Sequence, residues 1–377
     1  MTTSKIPVAP KDIGKLSDVL VSALGSIAAP NDASLNRLKF PASNSVVVVL
    51  VDGLGVANLE RRIGHAPRLG ALLKSQPASS IRCEFPSTTV VSLAGFASGV
   101  RSGEHGLIGY NVRSLRGTGL GNLLSGWGNG NSDTPHDWKS VLTLSEMGLG
   151  ASVRMHTVSH SAYRDSGFTA LTMPMSEFHG VDDLEDRVLK AKQLGEVARN
   201  LVYLYVPELD QLGHAFGSDS PTWSQALEQL DSALAPLLSS KKAAVYVTAD
   251  HGMIDVAIEN QIHLDTLESL QGDDVLCGGD TRSTLVYCAR DIRDQLTEEI
   301  GDRGFVVTWK ELVESGYVTE LRFSDGRSPD LVILARGATT LYDRRTCKPR
   351  SLRMLGHHGS ISDSEMRVPL LRAGSLI

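Results

Sequence analysis

The stretch SVVVVLVDGLG, residues 45–55, decides the fold class of this 377-residue chain. Its centre, residues 46–51, is an unbroken apolar run made mostly of valine. Such a run is typical of a strand that is buried on both faces of a parallel sheet covered by helices. Asp52 follows directly, at the end of the strand where the active site of an α/β sheet usually opens. The stretch therefore predicts an α/β fold, although a single aspartate at this position could equally be structural.

Three further apolar runs resemble the first one. They are LVYLYV (201–206), AAVYVTA (243–249) and LVILA (331–335), and each is flanked by helix-patterned or loop sequence. A helix after the first of these runs is marked by Ser220 as a plausible N-cap and Pro221 in its first turn. The alternation predicts a mostly parallel central sheet between helices.

The length of the chain exceeds the roughly 250–300 residues that usually share a single core. We therefore expect one large domain with a substantial insertion, or two domains. We assign residues 1–255 and 351–377 to the core, and we expect residues 256–350 to fold partly as a cap, with residues 112–200 as the alternative cap segment.

Charge and composition exclude several classes of protein. The net charge of −6 is spread without acidic or basic blocks, which argues against a nucleic-acid groove and a polybasic membrane anchor. No apolar run reaches the roughly 18 residues that a membrane span needs. The four cysteines lie far apart without a CxxC pair, which fits neither a disulfide framework nor a thiolate zinc site.

The apolar segment VLVSALGSIAA near the N-terminus follows several lysines, as a signal peptide would. Asp18 and several serines interrupt it, and its leucines recur at helical spacing. We therefore expect an amphipathic surface helix and a cytoplasmic protein, with secretion as the alternative.

Six potential metal ligands lie in four short clusters of the sequence. They are Asp52 in VDGLG, Asp210 and His214 in ELDQLGH, Asp250 and His251 in TADHGM, and His358 in GHHG. Residues four apart share one face of a helical turn, so Asp210 and His214 can reach one ion. Carboxylate and imidazole ligands without thiolate suit Zn²⁺, with Mn²⁺ or Fe as alternatives, and do not suit Ca²⁺. The clusters predict two divalent cations, with Zn²⁺ preferred.

A threonine pair in EFPSTTVVSLAGFASGV offers a nucleophile. Three carboxylates against two divalent cations leave one net positive charge, which an alkoxide from Thr89 would neutralise. Such a centre suits the anionic transition state of phosphoryl transfer, and coordination would activate a hydroxyl that is scarcely ionised at neutral pH. Taken alone, Thr88 and Thr89 could merely cap a helix that starts at Val90, and His357 and His358 could be solvated loop histidines.

The ordered set VDGLG, FPSTT, GVRSGEHG, ELDQLGH, TADHGM and GHHG resembles the alkaline phosphatase superfamily, and within it the nucleotide pyrophosphatase/phosphodiesterase (type I phosphodiesterase) family. The resemblance runs from about residue 45 to residue 368. It implies an alkaline-phosphatase-like three-layer α/β/α sandwich with a smaller inserted cap. It also implies a metal-dependent phosphoric ester hydrolase that acts through a covalent phosphothreonine intermediate.

The resemblance also assigns roles to individual residues. The family's nucleophilic threonine has a fixed spacing from a preceding proline and from a following His-Gly pair, and here Pro86 and His105 place it at Thr89 rather than Thr88. In GHHG the histidine directly before glycine matches, which selects His358. The implied ligand sets are Asp210, His214 and His358 for one zinc, and Asp52, Asp250, His251 and Thr89 for the other.

Two positions depart from the family pattern. Tyr110 stands where the family commonly has an asparagine that binds a phosphoryl oxygen, so either the neighbouring Asn111 takes that role or the oxygen is bound by other groups. Val90 replaces an aromatic residue that often stacks on a nucleobase, so nucleotide selectivity is not predicted. Asn58 occupies the third glycine position of a GxGxxG pattern and excludes a dinucleotide fingerprint.

These observations predict a two-metal phosphodiesterase or nucleotide pyrophosphatase-like hydrolase that acts on a small phosphorylated substrate. A phosphomonoesterase, a phosphonate hydrolase and a phosphoryl-group transferase of the same superfamily stay open as alternatives. A catalytically silent, metal-stabilised binding protein is the non-enzymatic alternative.

Overall fold

The computed structural model describes residues 5–11, 13–76, 79–127, 133–150, 152–322 and 326–377. The described strands are β1 (Val46–Val51), β2 (Ser80–Arg82), β3 (Asn111–Arg113), β4 (Leu120–Asn122), β5 (Arg154–Ser159), β6 (Glu177–Gly180), β7 (Asn200–Val206), β8 (Ala244–Thr248), β9 (Ile254–Asp255), β10 (Gln261–His263), β11 (Leu276–Gly279), β12 (Ser283–Tyr287), β13 (Gly304–Val307), β14 (Leu331–Ala335), β15 (Thr340–Tyr342), β16 (Gly356–His357) and β17 (Arg367–Gly374).

Helices connect most of these strands. The described α-helices are α1 (Ser17–Ala28), α2 (Val56–Arg61), α3 (Pro67–Ser75), α4 (Thr89–Ser98), α5 (Ser102–His105), α6 (Pro135–Trp138), α7 (Leu144–Gly150), α8 (Gly167–Thr172), α9 (Leu184–Gly195), α10 (Glu208–Phe216), α11 (Pro221–Ala233), α12 (Ala235–Leu238), α13 (Arg293–Ile300), α14 (Trp309–Glu314) and α15 (Asp363–Met366). Within the described residues, no helix is long and apolar enough to cross a membrane.

The core of the molecule is a seven-stranded sheet in the order β2-β17-β8-β1-β7-β5-β6. The five strands from β8 to β6 run parallel, and β17 runs antiparallel between β8 and β2. Every residue of β1 is buried, as expected for a strand covered on both faces. The prediction of a mostly parallel central sheet is confirmed.

Helices cover both faces of this sheet. A Cβ added to Gly195 at the end of α9 would lie 2.4 Å from Val47 Cγ2, so α9 packs on the face to which Val47 points. Tyr203 pairs in register with Val48, the next residue of β1, and its ring lies 5.1 Å from the Phe96 ring of α4. Successive strand residues point to opposite faces, which places α4 and α9 on opposite sides and gives the predicted three-layer α/β/α sandwich.

A second, antiparallel sheet stands beside the first one. Its six strands lie in the order β13-β14-β12-β11-β3-β4, so it combines strands from residues 276–335 with a hairpin from residues 111–122. The division of the chain at residues 256 and 350 stays a prediction.

The helix expected near the N-terminus is present as α1, but the expectation of a surface helix is wrong. Ten of its twelve residues are buried, including Ser22 and Ser26. The loop after α1 covers its outer side, since Leu38 N–H donates a hydrogen bond to Ser22 Oγ over 2.9 Å. The serines are therefore covered by protein and do not face water. The cytoplasmic location stays a prediction.

Candidate active site

Three carboxylates converge at the carboxyl edge of the central sheet. Asp52 follows β1, Asp250 lies just beyond β8, and Asp210 stands in α10, which follows β7. One oxygen of each side chain is buried and has no hydrogen-bond partner among the described residues: Asp52 Oδ1, Asp210 Oδ1 and Asp250 Oδ2. Burial raises the pKa of all three, and repulsion from Asp250 and Asp210 adds to the effect on Asp52. Bound cations would stabilise such a cluster of buried carboxylates.

The first group of ligands surrounds His251. Its Nε2 atom lies 3.4 Å from Asp52 Oδ1 and 3.5 Å from Asp250 Oδ2. Thr89 Oγ1 lies 3.2 Å from the same nitrogen. Asp52, Asp250 and His251 are all buried, so an ion held here would be largely shielded from bulk water.

The second group brings together Asp210, His214 and His358. His214 Nε2 lies 3.3 Å from Asp210 Oδ1, and His358 Nε2 lies 3.3 Å from His214 Nε2. His358 Nε2 is also 3.7 Å from Asp210 Oδ1. The two groups adjoin, because the rings of His251 and His358 stack with centroids 3.6 Å apart.

Each of the three histidines is oriented by a backbone carbonyl. Nδ1 of His214 lies 2.8 Å from Gly356 O, Nδ1 of His251 lies 3.3 Å from Gly252 O, and Nδ1 of His358 lies 2.9 Å from Ser87 O. Because a carbonyl oxygen only accepts, Nδ1 carries the proton in every ring and Nε2 presents its lone pair to the carboxylates. Burial lowers the pKa of His251 and His358, which keeps these rings neutral. The ligand chemistry therefore fits a pair of divalent cations.

The structure distinguishes Thr89 from Thr88, and His358 from His357. Helix α4 begins at Thr89, and Thr88 is its N-cap without capping the helix through its side chain. The Thr88 hydroxyl instead donates to Asp280 Oδ1 over 2.9 Å. His357 has both ring nitrogens engaged, Nδ1 with Thr281 Oγ1 at 3.1 Å and Nε2 with Met354 O at 3.1 Å. Thr89 and His358 are thus the members of each pair that reach the cluster.

The location of Thr89 also suits an anion. It is the first residue of a ten-residue helix, where amide groups lack partners within the helix and the dipole is positive. A phosphoryl group is favoured at such a helix end. Asn111, the predicted phosphoryl ligand, lies on β3, and its side-chain oxygen accepts a hydrogen bond from Asn122 Nδ2 over 3.0 Å.

Two residues near the cluster were missed by sequence reasoning. The Tyr205 hydroxyl donates a hydrogen bond to Asp52 Oδ2. Asp280 accepts from Thr88 Oγ1 and from the Tyr110 N–H at 3.3 Å, and burial raises its pKa to about 6. Tyr205 belongs to an apolar strand run, where a tyrosine is ordinarily read as core. Asp280 lies in a loop with no flanking pattern.

The chain is similar to a known protein family and to a known protein sequence. A family model described as type I phosphodiesterase / nucleotide pyrophosphatase matches residues 46–361. An uncharacterized pyrophosphatase/phosphodiesterase of Schizosaccharomyces pombe is 30% identical over 94 residues, and this match spans 23% of the present chain and only 19% of the yeast protein.

Solved structures show the same fold. Murine ectonucleotide pyrophosphatase/phosphodiesterase 5 matches over 88% of each chain with 17% identity and a TM-score of 0.66. The human protein matches over 88% of each chain with 16% identity and a TM-score of 0.66. An inactive variant of the murine protein in complex with AMP gives 17% identity, 88% coverage of each chain and a TM-score of 0.67. At these identities the likeness concerns the alkaline-phosphatase-like fold. Because the family match covers most of the chain, this protein belongs to the type I phosphodiesterase / nucleotide pyrophosphatase family of metal-dependent hydrolases.

Proposed function

We propose that this chain is a two-metal phosphodiesterase or nucleotide pyrophosphatase-like hydrolase in which Thr89 is the nucleophile. The observation that carries the proposal is the position of Thr89 Oγ1, 3.2 Å from His251 Nε2 at the N-terminus of α4. The hydroxyl therefore lies both beside a ligand cluster and at a helix end that favours a phosphoryl group.

The ligand sets are those that the resemblance implies. Asp210, His214 and His358 would hold one Zn²⁺, and Asp52, Asp250, His251 and Thr89 would hold the other. When bound, the two cations would lower the pKa of the Thr89 hydroxyl and offset negative charge on the phosphoryl group. The lone pairs of the three imidazoles and the unpaired carboxylate oxygens support this assignment.

The residues of the chain then define the course of the reaction. Thr89 Oγ1 loses its proton and forms a bond to phosphorus, while the bond from phosphorus to the leaving oxygen breaks and that oxygen takes up a proton. Amides in the first turn of α4, which lack partners within the helix, can donate to the non-bridging oxygens. Water then cleaves the bond between phosphorus and Thr89 Oγ1, which restores the hydroxyl and releases the phosphorylated product.

The substrate is proposed to be small and phosphorylated. The complex of the murine relative with AMP supports this class of ligand. Val90 follows the nucleophile in this chain, and a valine side chain offers no aromatic face on which a base could stack. We therefore propose an ester or anhydride of phosphate without strong selection for a nucleobase.

The test is a substrate panel with zinc-reconstituted protein. The panel contains bis(p-nitrophenyl) phosphate, p-nitrophenyl phosphate and phosphonoacetate. We expect the diester to be turned over fastest, and we expect Thr89→Ala to lower its kcat by at least about 10³-fold, as nucleophile removal does elsewhere. Thr88→Ala is the matched control, because its hydroxyl contacts Asp280 rather than the ligands.

Acid quenching during turnover supplies a second readout. Mass spectrometry should find the phosphoryl group, with the ester substituent it retains, on the peptide that contains Thr89 in the wild type but not in Thr89→Ala. Full activity in Thr89→Ala would overturn the nucleophile assignment. Faster turnover of the monoester or the phosphonate would move the function to those alternatives. A zinc-loaded protein without any turnover would favour the binding protein.

A further inference from the structure

A second cluster of metal-ligand type lies outside the candidate active site. It consists of His156 on β5 and of Glu177 and His179 on β6. His156 Nδ1 lies 3.1 Å from His179 Nε2 and 3.4 Å from Glu177 Oε2, and His179 Nε2 lies 3.5 Å from Glu177 Oε1. The cluster shares no residue with the six ligands described above.

The register of the two parallel strands explains why these side chains meet. His156 pairs with Glu177, and Val158 pairs with His179. Paired residues of neighbouring strands point to the same face, and residues two apart on one strand do so as well. The three side chains therefore stand on one face of the sheet, where their polar ends converge.

His156 is a buried member of the cluster. The His156 side chain is only 6% exposed, and its Nε2 atom is buried and has no hydrogen-bond partner among the described residues. Asn200, a neighbour that favours the charged form of His156, has a side-chain oxygen that is also buried and unpartnered. A proton on Nε2 would leave the lone pair of Nδ1 facing His179 and Glu177.

The charge states also suit a cation. Burial lowers the pKa of both His156 and His179, although Glu177 opposes that effect, so both rings are neutral at pH 7. Neutral imidazole is the form that binds metal. Without an ion, the two facing nitrogens can share only one proton, whereas a metal ion would accept both lone pairs. Arg154 and Lys190 also lower the pKa of His156 and would oppose a cation, so we expect weaker binding than at the larger cluster.

We propose that His156, Glu177 and His179 form an additional Zn²⁺ site that joins the edge strand β6 to β5. Two imidazoles and one carboxylate are a ligand set that zinc uses when a fourth position stays open to water. Glu177 is 67% exposed, so the ion has a path from solvent. Strand β6 ends the seven-stranded sheet and pairs with β5 alone, so ligands from both strands would hold it in register.

The test compares zinc stoichiometry in full-length variants by elemental analysis after equilibrium dialysis. We expect Glu177→Gln and His179→Ala each to bind one ion fewer per chain than the wild type. Glu177 is exposed, so its substitution carries little risk to folding. His65→Ala is the matched control, because His65 also contacts a carboxylate, Glu228 at 2.6 Å, but forms a pair and not a triad.

Hydrogen exchange gives an independent readout of the same site. In the wild type, zinc should slow amide exchange in β6, and this effect should disappear in Glu177→Gln. Wild-type stoichiometry together with unchanged zinc-dependent protection in both variants would overturn the proposal. Hydrolytic activity should be equal in wild type and Glu177→Gln, so failure of the catalytic proposal and failure of this one give different results.

Discussion

Tyr205 supports Asp52 from outside the ligand set. Its hydroxyl donates a hydrogen bond to Asp52 Oδ2, and burial raises the pKa of Tyr205, so the phenol keeps its proton. The contact follows from strand register, because Tyr205 pairs with Leu50, two residues before Asp52. A buried donor of this kind fixes the orientation of a carboxylate and tunes its affinity for metal.

We therefore expect Tyr205→Phe to weaken zinc binding by roughly 10-fold, within the range seen when partners of metal ligands are removed. Competition with a chelator measures the change. Tyr246→Phe is the control, because the Tyr246 hydroxyl is buried without a hydrogen-bond partner among the described residues and its ring stacks on Phe40, 3.8 Å away. Equal zinc affinity in the two variants would show that the Tyr205 contact does not tune the metal.

His105 makes the protein sensitive to acid. It is buried, its Nδ1 atom accepts the Leu107 N–H at 3.2 Å, and burial lowers its pKa to about 3 from an ordinary 6.5. The unfolded chain therefore takes up a proton that the folded chain refuses as the pH falls from 6.5 towards 3. Stability from this residue is full above pH 6.5 and decreases below it.

Between pH 7.5 and pH 5, we expect the free energy of unfolding to fall by about 2 kcal/mol more in the wild type than in His105→Gln. Glutamine cannot titrate and can still accept the Leu107 amide. Urea unfolding of the zinc-free proteins at both pH values gives the comparison. An identical pH dependence in the two proteins would contradict the buried neutral histidine.

At this scale, sequence patterns identified the six candidate ligands but not the residues around them. Aspartate and histidine clusters after apolar runs carry their own signal, and the structure places Asp52 and Asp250 beside His251, and Asp210 beside His251 and His358. The contact of Tyr205 depends on the pairing of two strands about 150 residues apart in the chain. No local pattern encodes that pairing. The role of Asn111 stays a prediction.

Among the elements, the turn after β8 is the most tightly packed part of the site. A Cβ at Gly252 would lie 2.0 Å from Ser364 O and 2.8 Å from Gly55 Cα, and both are backbone atoms that cannot rotate away. The Gly252 amide also donates to Glu365 O over 2.7 Å. Glycine at this position lets the loop that carries His251 pass directly against the segment before β17.

Gly252→Ala should therefore lower the free energy of unfolding by about 2–3 kcal/mol, as overpacking does in well-packed interiors. It should also reduce zinc retention, because the neighbouring His251 must move with the loop. Gly64→Ala is the control, since a Cβ there meets no atom within 4 Å. Chemical denaturation and metal analysis of the two variants check the prediction, and equal stability would refute it.

Strands with a strong apolar pattern could be predicted from the sequence, and strands without one could not. The runs at 46–51, 201–206 and 243–249 were expected as central strands, and they form β1, β7 and β8. The run at 331–335 was expected in the same parallel sheet, but this was wrong, because it forms β14 of the antiparallel six-stranded sheet. Strand β17, which lies between β8 and β2, was not expected, because RVPLLRAG contains a proline and two arginines. Pro369 is tolerated where the pairing of β17 changes from β2 to β8, a position that only the tertiary structure defines.

Across the whole molecule, one buried ion pair connects the two sheets. Arg282 immediately precedes β12 of the six-stranded sheet, and Glu365 lies in α15 just before β17 of the seven-stranded sheet. The guanidinium binds the carboxylate in a bidentate manner, with Nε–Oε1 at 2.8 Å and Nη2–Oε2 at 2.9 Å, and both side chains are fully buried. Ser360 N–H also donates to Glu365 Oε1 over 2.9 Å, which connects the pair to the loop that carries His358.

Glu365→Gln should lower the free energy of unfolding by about 3–5 kcal/mol, because it leaves the Arg282 guanidinium buried without a counter-charge. Asp274→Asn is the control: it breaks an ion pair with Arg290 in which both partners are more than 40% exposed, and we expect it to cost at most about 1 kcal/mol. Urea denaturation provides both values. A change within 1 kcal/mol for Glu365→Gln would show that the pair is not needed to hold the sheets together.

The position of β17 has a consequence for how the protein is made. A ribosome releases the chain from its N-terminus, so β2 and β8 emerge long before residues 367–374, which must lie between them. Until then, the edge of β8 that will pair with β17 is unpaired. His358 is itself synthesised only shortly before β17. The central sheet is therefore completed only after residues 367–374 have been synthesised, and the candidate ligand cluster only after His358. Nascent chains stalled before residue 367 should be substrates for chaperones rather than partly active enzymes.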